Sequence, residues 1–197
     1  MNYLAHSYLS FHQNEIIVGN FIADSVIGNQ YTHLPENIVK GILLHRKIDT
    51  FTDSHPLFIQ SKRRFVPYFD KYSSILTDII YDHLLAANFN QYGQSDLDTY
   101  SKQIYTVIHS NFQYLPDNGK RFYHYMTQNH VFFNYQYIEG IKTVLEHFSS
   151  HRIKNRHQLA DSIPILMDNY DLFQAEFSDF FEEITNYCKK QPELSEN

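Results

Sequence analysis

Residues 41–56, GILLHRKIDTFTDSHP, set His45, Arg46, Asp49 and Asp53 among Ile42, Leu43, Leu44, Ile48 and Phe51. In a helix, His45, Asp49 and Asp53 stand on one face at i, i+4 and i+8, close enough to share a cation, and Arg46 lies beside them, available to an anion. The apolar residues of the same stretch would hold that helix in a core, where an unpaired charge is costly. The polar residues must then be satisfied by one another, by partners elsewhere in the chain, or by a metal.

A chain of 197 residues suits one domain and can bury most of its surface without staples. The expected domain is residues 1–190, with residues 191–197, QPELSEN, fraying. A single Cys188 excludes an intrachain disulfide and any cysteine-based zinc cluster, in keeping with a reducing cytoplasm. The opening MNYLAHSYLSFHQNE has neither a basic n-region nor a sustained apolar h-region, and no apolar run in the chain approaches a membrane span of about 18 to 20 residues. A soluble, cytoplasmic protein is expected. The formal charge of −6 argues against general nucleic-acid binding, though a local basic patch can still serve one partner.

Helical periodicity runs through the chain, and no strand-like alternation is long enough to suggest a sheet. Residues 3–11 fit a short helix carrying His6 near its apolar side. Residues 16–27 fit a buried helix with Gly19 and Asn20 near its start, Asp24 in the apolar run FIADSVIG, and Gly28-Asn29 as its stop. Leu34-Pro35-Glu36 starts the helix of the central stretch, which should end before His55-Pro56. Residues 56–65 open another helix, which ends in the most basic run of the chain, Lys62, Arg63 and Arg64, before Pro67 bends or ends it. Ser73 or Ser74 caps SILTDIIYDHLLAANF, which contains Asp78, Asp82 and His83. Residues 98–114, 120–128, 131–148 and 157–189 supply further helices, with turns expected at residues 116–119 and around Ser149-Ser150, and with Ser162-Ile163-Pro164 kinking or dividing the last segment. The stripe Leu166, Tyr170, Phe173, Phe177, Phe180, Phe181 and Ile184 reads as core.

Several helices thus bring His or Asp into apolar surroundings: His6, Asp24, His45 with Asp49 and Asp53, and Asp82 with His83. Imidazole and carboxylate without thiolate favour a borderline-to-hard ion such as Mn²⁺, Fe²⁺, Mg²⁺ or Zn²⁺. Such an ion lowers the pKa of bound water and polarises a phosphoryl oxygen, while Arg46 could neutralise charge on the phosphate. No Walker loop, GxSxG elbow or HExxH motif is present, so metal-assisted hydrolysis in an all-α domain is the enzyme class that remains.

The blocks NYLAHSYL, GNFIADSVIG, GILLHRKIDTFTDSHP and DIIYDHLLA, in this order and at this spacing, resemble the acyl carrier protein phosphodiesterase family. The likeness extends to roughly residue 185, with its specificity in the first ninety residues. It implies a single-domain helical bundle distantly related to the His-Asp metal-dependent phosphohydrolases. It also implies Mn²⁺ dependence and hydrolysis of the phosphodiester between 4′-phosphopantetheine and a serine of holo acyl carrier protein. The family motifs fall on His6, Asp24, His45, Arg46, Asp49, Asp53, Asp82 and His83; the pair Asp82-His83 reverses the order that names the wider superfamily. The expected metal ligands are a subset of His6, Asp24, His45, Asp49, Asp82 and His83, with Arg46 on the phosphate and Asp53 touching substrate or supporting the ligands. Because a carrier protein is typically acidic, Lys62, Arg63, Arg64 and Lys71 are the candidate docking residues. Two other readings fit the same residues: a related hydrolase acting on another phosphodiester or nucleotide, and a non-catalytic helical module whose His/Asp cluster is a satisfied polar core.

Overall fold

Helix-favouring periodicity along the chain becomes helix over most of the computed structural model, which describes residues 2–152 and 158–195. In chain order the α-helices are α1 (Tyr3–Tyr8), α2 (Asn14–Ile22), α3 (Glu36–Ser54), α4 (Pro56–Arg63), α5 (Val66–Phe69), α6 (Ser73–Ala87) and α7 (Phe89–Tyr92). They continue with α8 (Leu97–Ser110), α9 (Asp117–Gln128), α10 (Val131–Asn134), α11 (Ile138–Arg152), α12 (Ile163–Asp168) and α13 (Tyr170–Cys188). No strand occurs among the described residues, and the all-α architecture expected from the sequence is the one observed. No helix among them is long and apolar enough to cross a membrane.

The central helix ends where proline chemistry requires. His55 leaves the helical region at φ −73° and ψ 130°, and its Nδ1 accepts the Leu57 N–H at 3.3 Å, so it caps α4, in which Pro56 stands first. Other boundaries differ from the periodicity. α2 stops at Ile22, and a 3-10 turn at Ala23–Ser25 takes over, which turns Asp24 out of the core. Pro67 lies in the first turn of the short α5 rather than bending α4. Residues 131–148 divide into α10 and α11, and Ser149-Ser150 lies inside α11, where Ser149 Oγ donates to the Leu145 carbonyl and accepts the Leu159 N–H. The last segment divides at Ser162-Ile163, as the proline there suggested; its expected start, His157, lies outside the described residues.

The C-terminal residues are docked rather than frayed as far as they are described. A 3-10 turn at Pro192–Leu194 packs on α3; Glu193 meets Lys47 at 2.7 Å, and the Leu194 carbonyl accepts from Gln13 at 3.1 Å. Residues 196–197 lie outside the described part.

Two packing features position the site. Gly19 of α2 and Gly41 of α3 let these helices meet backbone to backbone: a Cβ on Gly19 would stand 2.0 Å from the Ile38 carbonyl oxygen, and one on Gly41 2.3 Å from that of Ile16. Only glycine permits that approach. Behind this pair, α13 lays Phe173, Phe177, Phe180, Phe181 and Ile184, none more than 1% exposed, against α4 and α6. Phe180 lies 5.2 Å from Tyr81, and Phe173 stacks on Phe65 at 5.4 Å. Each such ring contributes about 1.5–3 kcal/mol by leaving water.

Candidate metal centre

α1, α2 and α3 converge on one group of polar side chains. Phe11 and His12 take left-handed backbone angles, φ 47° and 60°, between α1 and α2, so that α2 packs on α1. His6 of α1 and His45 of α3 then stack with ring centres 4.1 Å apart and planes 21° from parallel. Asp49 stands one turn beyond His45 and bridges the pair. Its Oδ1 lies 3.2 Å from His6 Nε2 and its Oδ2 3.1 Å from His45 Nε2. Asp24 approaches from the 3-10 turn, with Oδ1 3.2 Å from His45 Nε2.

Asn20 of α2, 1% exposed, fixes the tautomers. Its Nδ2 donates to the His6 carbonyl at 3.0 Å and to Ser10 Oγ at 3.1 Å. A carbonyl only accepts, so the orientation of the amide follows from that bond. Asn20 Oδ1 therefore faces His6 Nδ1 at 2.8 Å and His45 Nδ1 at 2.9 Å, and both of these nitrogens donate to it. Each Nε2 is left aimed at carboxylate oxygen. A bare lone pair there would face like charge, so the arrangement calls for a positive charge between the groups, either a proton or a metal ion.

The titration of the cluster has the same origin. Burial pulls His45 down, but its hydrogen bonds to Asp24 and Asp49 outweigh burial and raise it to about 9. Burial and the His45 charge lower His6 to about 4 against the pull of Asp49. Asp49 is raised by burial, yet its bonds with His45 and His6 hold it far below the usual carboxylate range. The bond with His45 also lowers Asp24.

His6, His45 and Asp49 each offer one donor atom, all within 4.8 Å of one another. Nearest separations of 3.1–3.2 Å match neighbouring ligands about 2.1 Å from a shared ion. The donor set therefore fits a divalent metal held by two imidazoles and a carboxylate. The cluster opens onto a pocket of about 360 Å³, which is also lined by Asp24, Thr52, Asp53, Lys71, Ser74 and Asp78. Thr52 Oγ1 is buried there with no hydrogen-bond partner among the described residues, and burial raises Asp78.

The comparisons with known proteins agree with one another. The profile of the family described as acyl carrier protein phosphodiesterase matches residues 1–184. The chain is 30% identical over 192 residues to the protein named acyl carrier protein phosphodiesterase from Pectobacterium atrosepticum, covering 97% of this chain and 99% of that one. The chain belongs to the acyl carrier protein phosphodiesterase family. Relatives of the same name from Photorhabdus laumondii and Salmonella agona are 28% and 30% identical, covering 92% of this chain and 91% and 94% of theirs. No solved structure matches the chain.

In this member of the acyl carrier protein phosphodiesterase family, the expected site residues divide into three sets. His6, His45, Asp49 and Asp24 come together, and Asp53 lines the same pocket. Asp82 and His83 are bonded elsewhere. Asp82, fully buried, accepts the N–H groups of Leu4 at 2.8 Å, Ala5 at 3.1 Å and Asn2 at 3.3 Å, which pins the start of α1. His83 donates from Nδ1 to the Tyr135 carbonyl at 2.7 Å, and its Nε2 accepts from the Tyr170 hydroxyl at 3.0 Å. Arg46 donates to the Gly28 carbonyl at 2.7 Å and lies over the Tyr31 ring, 5.0 Å from its centre, so it ties down the segment that follows Asp24 instead of lining the pocket.

The expected docking residues also divide. Arg64 forks onto Glu176 at 2.6 and 2.7 Å and covers Phe173, so its charge is met within the fold. Lys62 and Arg63 have no ion-pair partner among the described residues, and Lys71 lines the pocket itself. Sequence reasoning missed Thr52 and Asp78 as pocket residues and Asn20 as the amide bonded to both imidazoles. For Asn20 the available signal was a buried amide beside a glycine in an otherwise apolar helix.

Proposed function

We propose that the protein is a Mn²⁺-dependent phosphodiesterase that hydrolyses the bond between the phosphate of 4′-phosphopantetheine and a serine of holo acyl carrier protein. The observation that carries this reading is the Asn20-clamped pair of imidazoles converging with Asp49 at the floor of a pocket, in a chain of this family. His6, His45 and Asp49 would hold the ion, with Asp24 beside His45. When bound, a divalent ion supplies positive charge toward the phosphate and a water acidified for attack. Asn20 keeps both Nδ1 atoms protonated, so Nε2 is the donor on each ring. Lys71, on the pocket wall, is the cation that meets the phosphate, since Arg46 is bonded to the Gly28 carbonyl. Asp53, exposed on α3, stands at the open side, where the carrier protein would arrive. Lys62 and Arg63 offer positive charge to an acidic partner.

In the reaction, water oxygen joins phosphorus, the bond from phosphorus to serine Oγ breaks, and the serine recovers a proton. The products are apo carrier protein and free 4′-phosphopantetheine. A mass spectrum of holo carrier protein incubated with the enzyme, with Mn²⁺ and separately with chelator, tests this. Loss of the phosphopantetheine mass with Mn²⁺ alone is expected. Intact carrier protein in both samples overturns the reading.

A further inference from the structure

A second cavity of about 140 Å³ adjoins the metal pocket. Ile75, Ile79, Phe122, Val131, Val144 and Phe148 line it, contributed by α6, α9, α10 and α11. Asn2, Tyr3, Asp24 and Ile75 border both spaces and form their common wall. A mostly apolar chamber that shares four lining residues with a cluster of carboxylates and imidazoles has the composition of a ligand site, in which apolar walls hold the body of a ligand and a few polar groups orient it. Asn2, Asp24, Tyr125, Tyr135 and His147 supply its polar groups; Tyr135 is 2% exposed, and its oxygen accepts from Asn2 Nδ2 at 3.1 Å, which leaves its own hydrogen to give.

We propose that this chamber binds the pantoyl part of the phosphopantetheine arm, so that the diester lies with its prosthetic arm inward and the carrier-protein serine outward. The inference rests on the phosphodiesterase reading above and adds to it the part of the substrate that is recognised and the direction in which it lies. A phosphodiester has two arms, and here one is a serine of a folded protein, which cannot enter a space of about 140 Å³. The other arm is slender. Its first carbons beyond the phosphate carry two methyl groups and no charge, followed by a hydroxyl and an amide carbonyl. Branched methyls suit the walls of Ile79, Val131 and Val144, and the carbonyl or hydroxyl suits the Tyr135 O–H. With phosphorus at the metal cluster, the group that reaches the chamber next to it is this pantoyl head. The orientation also sets the order of release. Once the bond to serine is broken, apo carrier protein is free to leave, while the phosphorylated arm stays in the chamber.

The test compares two substrates in each enzyme: carrier protein bearing the natural arm and carrier protein bearing an arm that lacks the two pantoyl methyls. Removing one buried methyl or methylene from an apolar pocket costs about 10–200-fold in kcat/KM, so the wild type should prefer the natural arm by at least about tenfold. Val144→Phe and Ile75→Phe, which fill the chamber from α11 and α6, should each reduce that preference to about threefold or less, since the methyls lose the space that rewards them. Because the preference is a ratio within one preparation, partial unfolding of a variant does not produce the change. Equal turnover of both arms by the wild type, or full preference retained in both filled variants, overturns the proposal. Absence of phosphopantetheine release from either substrate by the wild type overturns the phosphodiesterase reading itself, which separates the two failures.

Discussion

Replacing Asn20 by Ala removes the acceptor that two buried imidazole N–H groups share, at 2.8 and 2.9 Å, and leaves the His6 carbonyl and Ser10 Oγ without its Nδ2. Each buried donor left unmet costs about 1–3 kcal/mol, so Asn20→Ala should destabilise the fold by about 2–6 kcal/mol. For a domain of this size, even the low end corresponds to a fall of at least about 4 °C in Tm. The effect on metal binding has a separate cause. Without the amide, each ring can move its hydrogen to Nε2, which removes the metal-directed lone pair, and losing such an orienting partner weakens affinity by about 10–100-fold. Calorimetric titration with Mn²⁺ measures the affinity, nitrogen chemical shifts of the imidazoles report the tautomers, and circular dichroism confirms retained helix. Affinity within about threefold of the wild type in a folded variant would refute the clamp, because the energies above leave no room for so small a change.

Other perturbations separate packing, charge and titration. Gly41→Ala drives a Cβ to 2.3 Å from the Ile16 carbonyl; the helices must part, with a stability loss of about 1–3 kcal/mol or more by thermal melting, and a Tm within a degree of wild type would contradict the close approach. Lys71→Met should lower kcat/KM for holo carrier protein by about tenfold, the value of one charged contact, whereas Lys62→Glu with Arg63→Glu should raise KM and flatten the salt dependence with kcat kept. The reverse pattern would exchange the phosphate and docking roles. Burial pushes Asp82 up to about 7 from its ordinary 3.8, against the pull of the Leu4, Ala5 and Asn2 N–H groups. A folded-state value above the unfolded one means that its contribution is full below pH 3.8 and is lost as pH rises to about 7, at up to about 1.4 kcal/mol per pH unit. Asp82→Asn should abolish that slope in urea melts across the same window, and an identical slope in wild type and variant would reject the assignment.

The sequence singled out His6, Asp24, His45 and Asp49 because a polar residue in an apolar helix must be satisfied, spacing put His45 and Asp49 on one face, and the structure brings the four together. The same signal marked Asp82 and His83, and the structure answers their demand differently, with backbone amides of α1 and with Tyr135 and Tyr170. Periodicity could not see this difference, since a carboxylate that anchors backbone amides and one that faces imidazoles both appear as an acid among apolar residues. The role of Asn20, as distinct from its burial, was hidden for a related reason. Beside Gly19 it reads only as a residue near the start of a buried helix, and it becomes the clamp of two imidazoles only through the close contact of Gly19 and Gly41, a tertiary event. Helix ends were displaced wherever a 3-10 turn replaced α-helix, as at Ala23–Ser25, because the apolar spacing of two or three residues does not distinguish the two. What separates the two arrangements is the donor capacity left after the fold's own bonds are counted. His83 has both nitrogens engaged and the Asp82 oxygens are met by three amides, whereas Asn20 holds the Nδ1 atoms of His6 and His45 and leaves each Nε2 facing Asp49.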